Sequence, residues 1–439
     1  MFAAAAIGSA LFAPVQAGAQ SLIRDAEIEQ TLIRITTPLF KAAGVNPSSI
    51  EILVVNDPSL NAFVVNGRAI FLHTGLITRL KTIDMLQSVI GHELAHITSG
   101  HLVRRTLNRN NASSAIGIGM LLGLAASVGG AGDVAGGIMA GTAGSAINTF
   151  LAHTRAEETT ADQISAQYMV RAGIDPSAAL AVLEIFRGQE ALSTGRRDAY
   201  ARTHPLSQDR IRAIKGQIAT YGGRKTKTSV ELTYWHARMV AKFKGFLGNP
   251  TYVLRHVKKS DKSEAANLTR AIAYHRQGNA AKAVKYMNAL LQARPNDAYY
   301  HELKGQILLE GRQATGAVRS YERAVALAPK EPLILAGYGR ALLTLKTTAG
   351  DKHALDVLRR ARSMDGRDAR MLRDLAVAYA KSGNNGMASL VTAERYALLG
   401  RFRDAQTNAH RAEGLLPRGS IGWLRSQDIL AAAKSVLKK

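Results

Sequence analysis

Val89-Ile90-Gly91-His92-Glu93-Leu94-Ala95-His96-Ile97 is the stretch from which the rest of this chain is read. Two histidines four residues apart share one helical face, with Cβ atoms about 6 Å apart, which suits two ligands of one tetrahedral zinc. Glu93 stands beside them and can take a proton from a water that the metal activates. The neighbouring Val89, Ile90, Gly91, Leu94, Ala95 and Ile97 are uncharged, as a buried active-site helix requires. The helix is predicted over Thr82–Leu102.

A third ligand has to come from elsewhere. An extended metzincin-type pattern would need glycine at position 99 and histidine at 102. The chain has Ser99 and Leu102 there, with Gly100 and His101 displaced by one. A second predicted helix, Thr154–Ala172, offers Glu157, Glu158 and Asp162. Glu158 and Asp162 are four apart and share a face. Glu158 can therefore bind the metal while Asp162 accepts the outer ring N–H of a ligand histidine. Glu157 has no acid one turn on and is read as solvent-facing.

Around these helices, Glu51–Val55 reads as a strand. Asn61–Val65 and Arg68–Leu72 read as a hairpin about Asn66-Gly67, a pair that takes positive φ readily. An edge strand here would accept an extended polypeptide through main-chain hydrogen bonds. Residues 115–150 are rich in glycine and apolar side chains, with Asp133 the only charge. They are read as a lid or membrane-surface segment, because glycine weakens helices. A short transmembrane hairpin or two buried helices are the alternatives. Residues 1–19 read as a signal peptide, apolar from Phe2 to Phe12 and closing on Ala17-Gly18-Ala19 before Gln20, so the expected location is the periplasm.

The second half repeats. Pro295 and Pro329 are 34 residues apart. Ala283, Ala317 and Ala405 stand twelve before Pro295, Pro329 and Pro417, and Leu290, Ala324 and Ala412 stand five before. Small residues also recur twenty-four before, at Ala271, Gly305 and Ala393. This period and these small positions match the tetratricopeptide repeat, a helical hairpin stacked in series. Ala354 and Ala361 fit a third repeat with a short insertion near Thr347–Asp351. Ala376, Tyr379, Gly383 and Ala388 fit a fourth, and Ser420–Lys439 reads as a closing helix. The expected division is a zinc metallopeptidase domain at 20–221, a basic helical connector at 222–261 and the repeats at 262–439.

Composition excludes several classes. At 439 residues the chain exceeds one ordinary domain. It has no cysteine, so disulfides, thiol nucleophiles and cysteine metal sites are ruled out. Lys plus Arg outnumber Asp plus Glu by 57 to 33, a net charge of +24. Residues 251–439 carry 33 of those cations against 16 acids. The charge suits acidic polypeptide or a peripheral contact with an anionic membrane. No nucleic acid is expected as a partner, because the basic residues are not interleaved with aromatic ones.

Ile23-Arg24-Asp25-Ala26-Glu27, Asn61-Ala62-Phe63, Gly75-Leu76-Ile77, His92–His96, Glu158 with Ala161-Asp162, and Thr203-His204-Pro205 with Arg210 carry a resemblance to peptidase family forty-eight. The whole chain resembles the family's periplasmic branch, which joins signal peptide, protease domain and tetratricopeptide repeats. The resemblance implies an α+β zincin-like metalloprotease domain, mainly helical with a small β-sheet, followed by an all-α solenoid. It implies one Zn2+ per chain on His92, His96 and Glu158, with Glu93 as the catalyst. It makes His204 a fourth ligand or switch that restrains the enzyme, where an assisting role on the oxyanion is the alternative. Arg210 would orient the site or stabilise the oxyanion. The implied activity is degradation of misfolded or stalled outer-membrane and envelope proteins, with the repeats recruiting client or barrel assembly machinery. The rival expectation is a chaperone-like scaffold with a largely closed metal site.

Overall fold

Among the described residues, short apolar runs at 22–23, 51–55, 62–65 and 69–73 form four strands: β1 Leu22–Ile23, β2 Glu51–Val55, β3 Ala62–Val65 and β4 Ala69–His73. They form one sheet in the order β1-β2-β4-β3, with β2 and β4 parallel and the outer pairs antiparallel. The expected hairpin is present, in register Phe63↔Phe71, and β3 is an edge strand. This computed structural model describes residues 22–65, 67–101, 154–189, 192, 198–221 and 229–437. The expected signal peptide at 1–19, the stretch 115–150 and the connector residues Lys225 and Lys227 lie outside the described residues.

The α-helices described in the first half are α1 Ala26–Ala42, α2 Thr74–Arg79, α3 Ile83–Thr98, α4 Arg155–Arg171, α5 Ala178–Ile185, α6 Ala199–Thr203 and α7 Gln208–Thr220. The Thr82 hydroxyl caps α3 by accepting from the Met85 N–H at 3.3 Å. Thr154 and Glu157 form a reciprocal capping box on α4, which occupies Glu157 at the helix end and leaves Glu158 facing inward. Leu32, Ile35 and Leu39 of α1 pack with Ile70 and Leu72 of the sheet, Leu86, Ile90 and Leu94 of α3, and Met169 of α4. Burying each such side chain stabilises the fold by about 1.5–3 kcal/mol. Gly91 sits where α3 meets α4. A Cβ there would lie 2.8 Å from Ser165 Oγ, so a larger residue would force that hydroxyl to shift.

The second half is helical throughout its described residues. After α8 Val230–Leu247 and α9 Pro250–His256 come paired helices: α10 Glu264–Arg276 with α11 Ala280–Ala293, α12 Ala298–Glu310 with α13 Ala314–Leu327, α14 Pro332–Leu343 with α15 Thr348–Met364, α16 Ala369–Lys381 with α17 Asn385–Leu398, and α18 Phe402–Leu415 with α19 Ile421–Leu437. The alanines at the repeated position, Ala283, Ala317, Ala354 and Ala405, are all fully buried. The expected insertion at Thr347–Asp351 is absorbed as helix: Thr347 caps α15, which has 17 residues where α11 and α13 have 14. No helix among the described residues is long and apolar enough to cross a membrane.

Within the expected connector, α8 buries two of its cations instead of exposing them. The Arg238 guanidinium bonds Glu27 of α1 and reaches Asp297 at 3.2 Å, and it lies 3.9 Å from the Tyr300 ring centre. Lys242 Nζ lies 2.6 Å from Asp25 and 3.4 Å from Glu27. Arg24 adds a bond to Asp365, and Arg367 donates to Glu51 at 2.8 Å. These ion pairs tie α1 and the sheet to the repeats, partly through α8 and partly directly. Removing one member of a buried pair leaves its partner charged and undersolvated, at a cost of about 3–5 kcal/mol. Arg238→Ala should therefore lower the unfolding free energy of the full chain in urea by that amount, whereas Arg212→Ala, in an exposed pair, should change it little.

Candidate metal centre

α3 presents His92 and His96 one turn apart, and α4 packs across it with the Glu158 carboxylate beside both rings. His204 follows the short α6 and turns inward from the opposite side. His92, His96, Glu158 and His204 are all buried, and one donor atom from each lies within 4.8 Å of every other. His92 Nε2 is 3.1 Å from His96 Nε2 and 3.4 Å from His204 Nδ1. Glu158 Oε1 is 3.3 Å from His96 Nε2 and 3.1 Å from His204 Nδ1. A tetrahedron with metal–ligand bonds of about 2.0–2.1 Å has edges of about 3.3–3.4 Å. These four separations come close to such edges, and all four donors lie within 4.8 Å of one another with the chemistry of a metal cage.

The surrounding groups orient these donors. Asp162, one turn along α4 from Glu158, places Oδ1 3.0 Å from His92 Nδ1. Arg210 of α7 donates from Nε and Nη2 to Asp162 at 2.8 and 2.9 Å, and its Nη1 lies 2.7 Å from Glu158 Oε2. Nη1 also donates to the Pro205 carbonyl at 2.8 Å. Arg210 is thus committed to the two carboxylates and to the loop that carries His204. On the far side of His96, His101 Nδ1 lies 2.9 Å from His96 Nδ1.

Glu93 is fully buried, and neither of its carboxylate oxygens has a hydrogen-bond partner among the described residues. Its Oε1 is 3.3 Å from His204 Nε2, without hydrogen-bond geometry. Burial pushes the Glu93 carboxyl up, with His204 and His92 opposing. For Glu158, burial acts upward but is outweighed by His204 and His92, which hold it well below the usual carboxylate range. Burial also opposes the charge on His92, yet Glu158 and Asp162 raise it to about 10. His96 is driven the other way by burial, to about 3. An orphaned carboxylate beside a complete donor set is what a metal with an activated water would satisfy.

The residues singled out from the sequence, His92, Glu93, His96, Glu158, Asp162, His204 and Arg210, all meet at this one place. Tyr200 was missed. Its ring stacks on His204 at 4.4 Å between centres, and its N–H donates to the Leu60 carbonyl at 2.9 Å. The signal available was its position four residues before His204, one helical turn. In the sequence His101 stands as an off-register histidine and, with Glu157, a fallback for the third ligand.

Residues 25–218 match the model of peptidase family M48, and residues 257–298, 268–332 and 302–350 match a tetratricopeptide repeat model. The chain is 25% identical over 415 residues to the Beta-barrel assembly-enhancing protease of Escherichia coli (strain K12), covering 93% of this chain and 83% of that one. It is 29% identical over 182 residues to the Mitochondrial metalloendopeptidase OMA1 of Schizosaccharomyces pombe, covering 42% of this chain and 50% of the relative. It is also 25% identical over 199 residues to Metalloprotease LoiP of Escherichia coli (strain K12), covering 45% and 73%. The match begins at Asp25, the cap of α1, and ends in α7 beyond Arg210. It therefore spans β2, β3 and β4 of the sheet and every described helix that feeds the cluster. The chain is a metalloendopeptidase whose first half is a peptidase family M48 domain and whose second half carries tetratricopeptide repeats.

Proposed function

We propose that the metal is zinc, held by His92, His96 and Glu158, and that the enzyme is exported to the periplasm to cleave misfolded or stalled outer-membrane and envelope proteins. The buried donor cage facing the orphaned Glu93 carboxylate carries this reading. Neutral imidazole and carboxylate donors at tetrahedral spacing suit zinc. A zinc ion there would polarise the scissile carbonyl and acidify a water. Glu93 takes the proton, for which its raised affinity suits it, and passes it to the leaving amine. Asp162 holds the ring of His92, and Arg210 holds Asp162 and Glu158, an orienting role. Likeness to the Escherichia coli protease along nearly the full chain supports envelope polypeptides as substrates and the repeats as the surface that recruits client or assembly machinery. The scaffold alternative is not favoured by that likeness to proteases.

Access to the site runs past β3. Its edge away from β4, unpaired by any described strand, lies beside the donor cage, where His204 Nε2 is 3.3 Å from the Ala62 carbonyl and Tyr200 N–H takes the Leu60 carbonyl. An extended substrate pairing with this edge needs the same carbonyls. His204 therefore blocks both the fourth donor position and the substrate strand, and it acts as a restraint. His204→Ala should keep its metal and cleave unfolded polypeptide about tenfold or more faster, since one imidazole–metal contact and one hydrogen bond no longer have to be broken. Slower cleavage at full metal occupancy would show that His204 assists the transition state instead.

A further inference from the structure

His101 is not a ligand, yet it is buried, with 3% of its surface exposed, directly behind one. The backbone is shaped to put it there. α3 closes with Ser99 N–H on the Ala95 carbonyl at 3.0 Å and Gly100 N–H on the Ile97 carbonyl at 3.0 Å. Gly100 then takes φ +64, a left-handed conformation that glycine adopts freely. This reverses the chain and brings the His101 ring to 5.1 Å from the His96 ring, nearly edge-on at 67°. The two Nδ1 atoms are 2.9 Å apart.

Two imidazole nitrogens at that distance share one proton. His96 Nε2 faces His92 and Glu158, so it is the nitrogen turned to the metal. A neutral imidazole that coordinates through Nε2 carries its proton on Nδ1. His96 Nδ1 is then the donor, His101 Nδ1 the acceptor, and the proton of His101 sits on its own Nε2. We infer that His101 is a positioning residue that fixes the tautomer and ring angle of His96, as Asp162 does for His92. The two ligand histidines are thereby backed differently, His92 by a carboxylate and His96 by a neutral ring. This inference rests on the metal reading above.

The test measures Zn2+ affinity of the full chain by competition with a chromophoric chelator, alongside thermal melting of the metal-free protein. His101→Asn keeps an acceptor near the Nδ1 position, and His101→Leu has comparable bulk without one. His101→Leu should bind zinc about 10–100-fold more weakly, the usual effect of losing such an outer partner, while His101→Asn stays within about threefold of the parent. Equal affinities for the two variants, whether both weak or both parental, would overturn the role of His101. Absence of zinc binding by the parent would overturn the metal reading itself, and the melts of the metal-free proteins show whether either substitution acts through folding instead.

Discussion

Glu93→Gln protein should carry the same metal content as the parent and cleave an unfolded polypeptide about 10²–10⁴-fold more slowly, the range that a general acid–base group supplies. The substitution is nearly isosteric and Glu93 is not among the donor atoms of the cage, so the cage should survive it. What is lost is a buried carboxylate with no hydrogen-bond partner among the described residues. The same burial that leaves it unpartnered raises its proton affinity above that of an ordinary carboxylate, the direction that suits a base. Full activity in Glu93→Gln, measured on protein verified for metal content, would remove Glu93 from the chemistry.

Loss of Glu158 should have the opposite signature. Glu158→Ala removes one donor, leaves His92 without its strongest charge partner and frees Arg210 from half of its carboxylate grip. Metal should be lost on dialysis and cleavage with it, a drop of at least about 10²-fold in affinity, since the loss of an outer partner alone costs 10–100-fold. In the parent, His92 without metal is protonated below about pH 10, because Glu158 and Asp162 overcome its burial. Metal must displace that proton, so binding at pH 7 should release about one proton and should tighten by up to tenfold per pH unit towards that value. Calorimetry in buffers of different ionisation enthalpy reads the proton directly. Retained metal in Glu158→Ala would take Glu158 out of the ligand set.

Much of the candidate site was legible because its parts are local. The i, i+4 spacing of His92 and His96, and again of Glu158 and Asp162, guarantees a shared helical face before any tertiary contact forms. The caps at Thr82 and Thr154 place both helix starts. Helix α3 ends earlier than the uncharged run suggested, at Thr98, because the Gly100 reversal closes it. The repeats were legible for a related reason. Each hairpin buries its alanines against the next, so the packing imposes the 34-residue period on the chain.

The sequence by itself determined the candidate donor pattern, the acid beside it, the carboxylate helix and the helical repeats, because each is written in spacings of one turn or one repeat. Only the tertiary structure decided which long-range partners converge. His204 lies 112 residues from His92 yet meets it at 3.4 Å. Arg210 turns away from solvent to clamp Asp162 across 48 residues. Arg238 and Lys242, which read as basic connector, are buried against α1. An arginine in a sequence has the same chemistry whether it ends in water or between two carboxylates. Its fate is set by desolvation and pairing, which depend on elements brought together from distant parts of the chain.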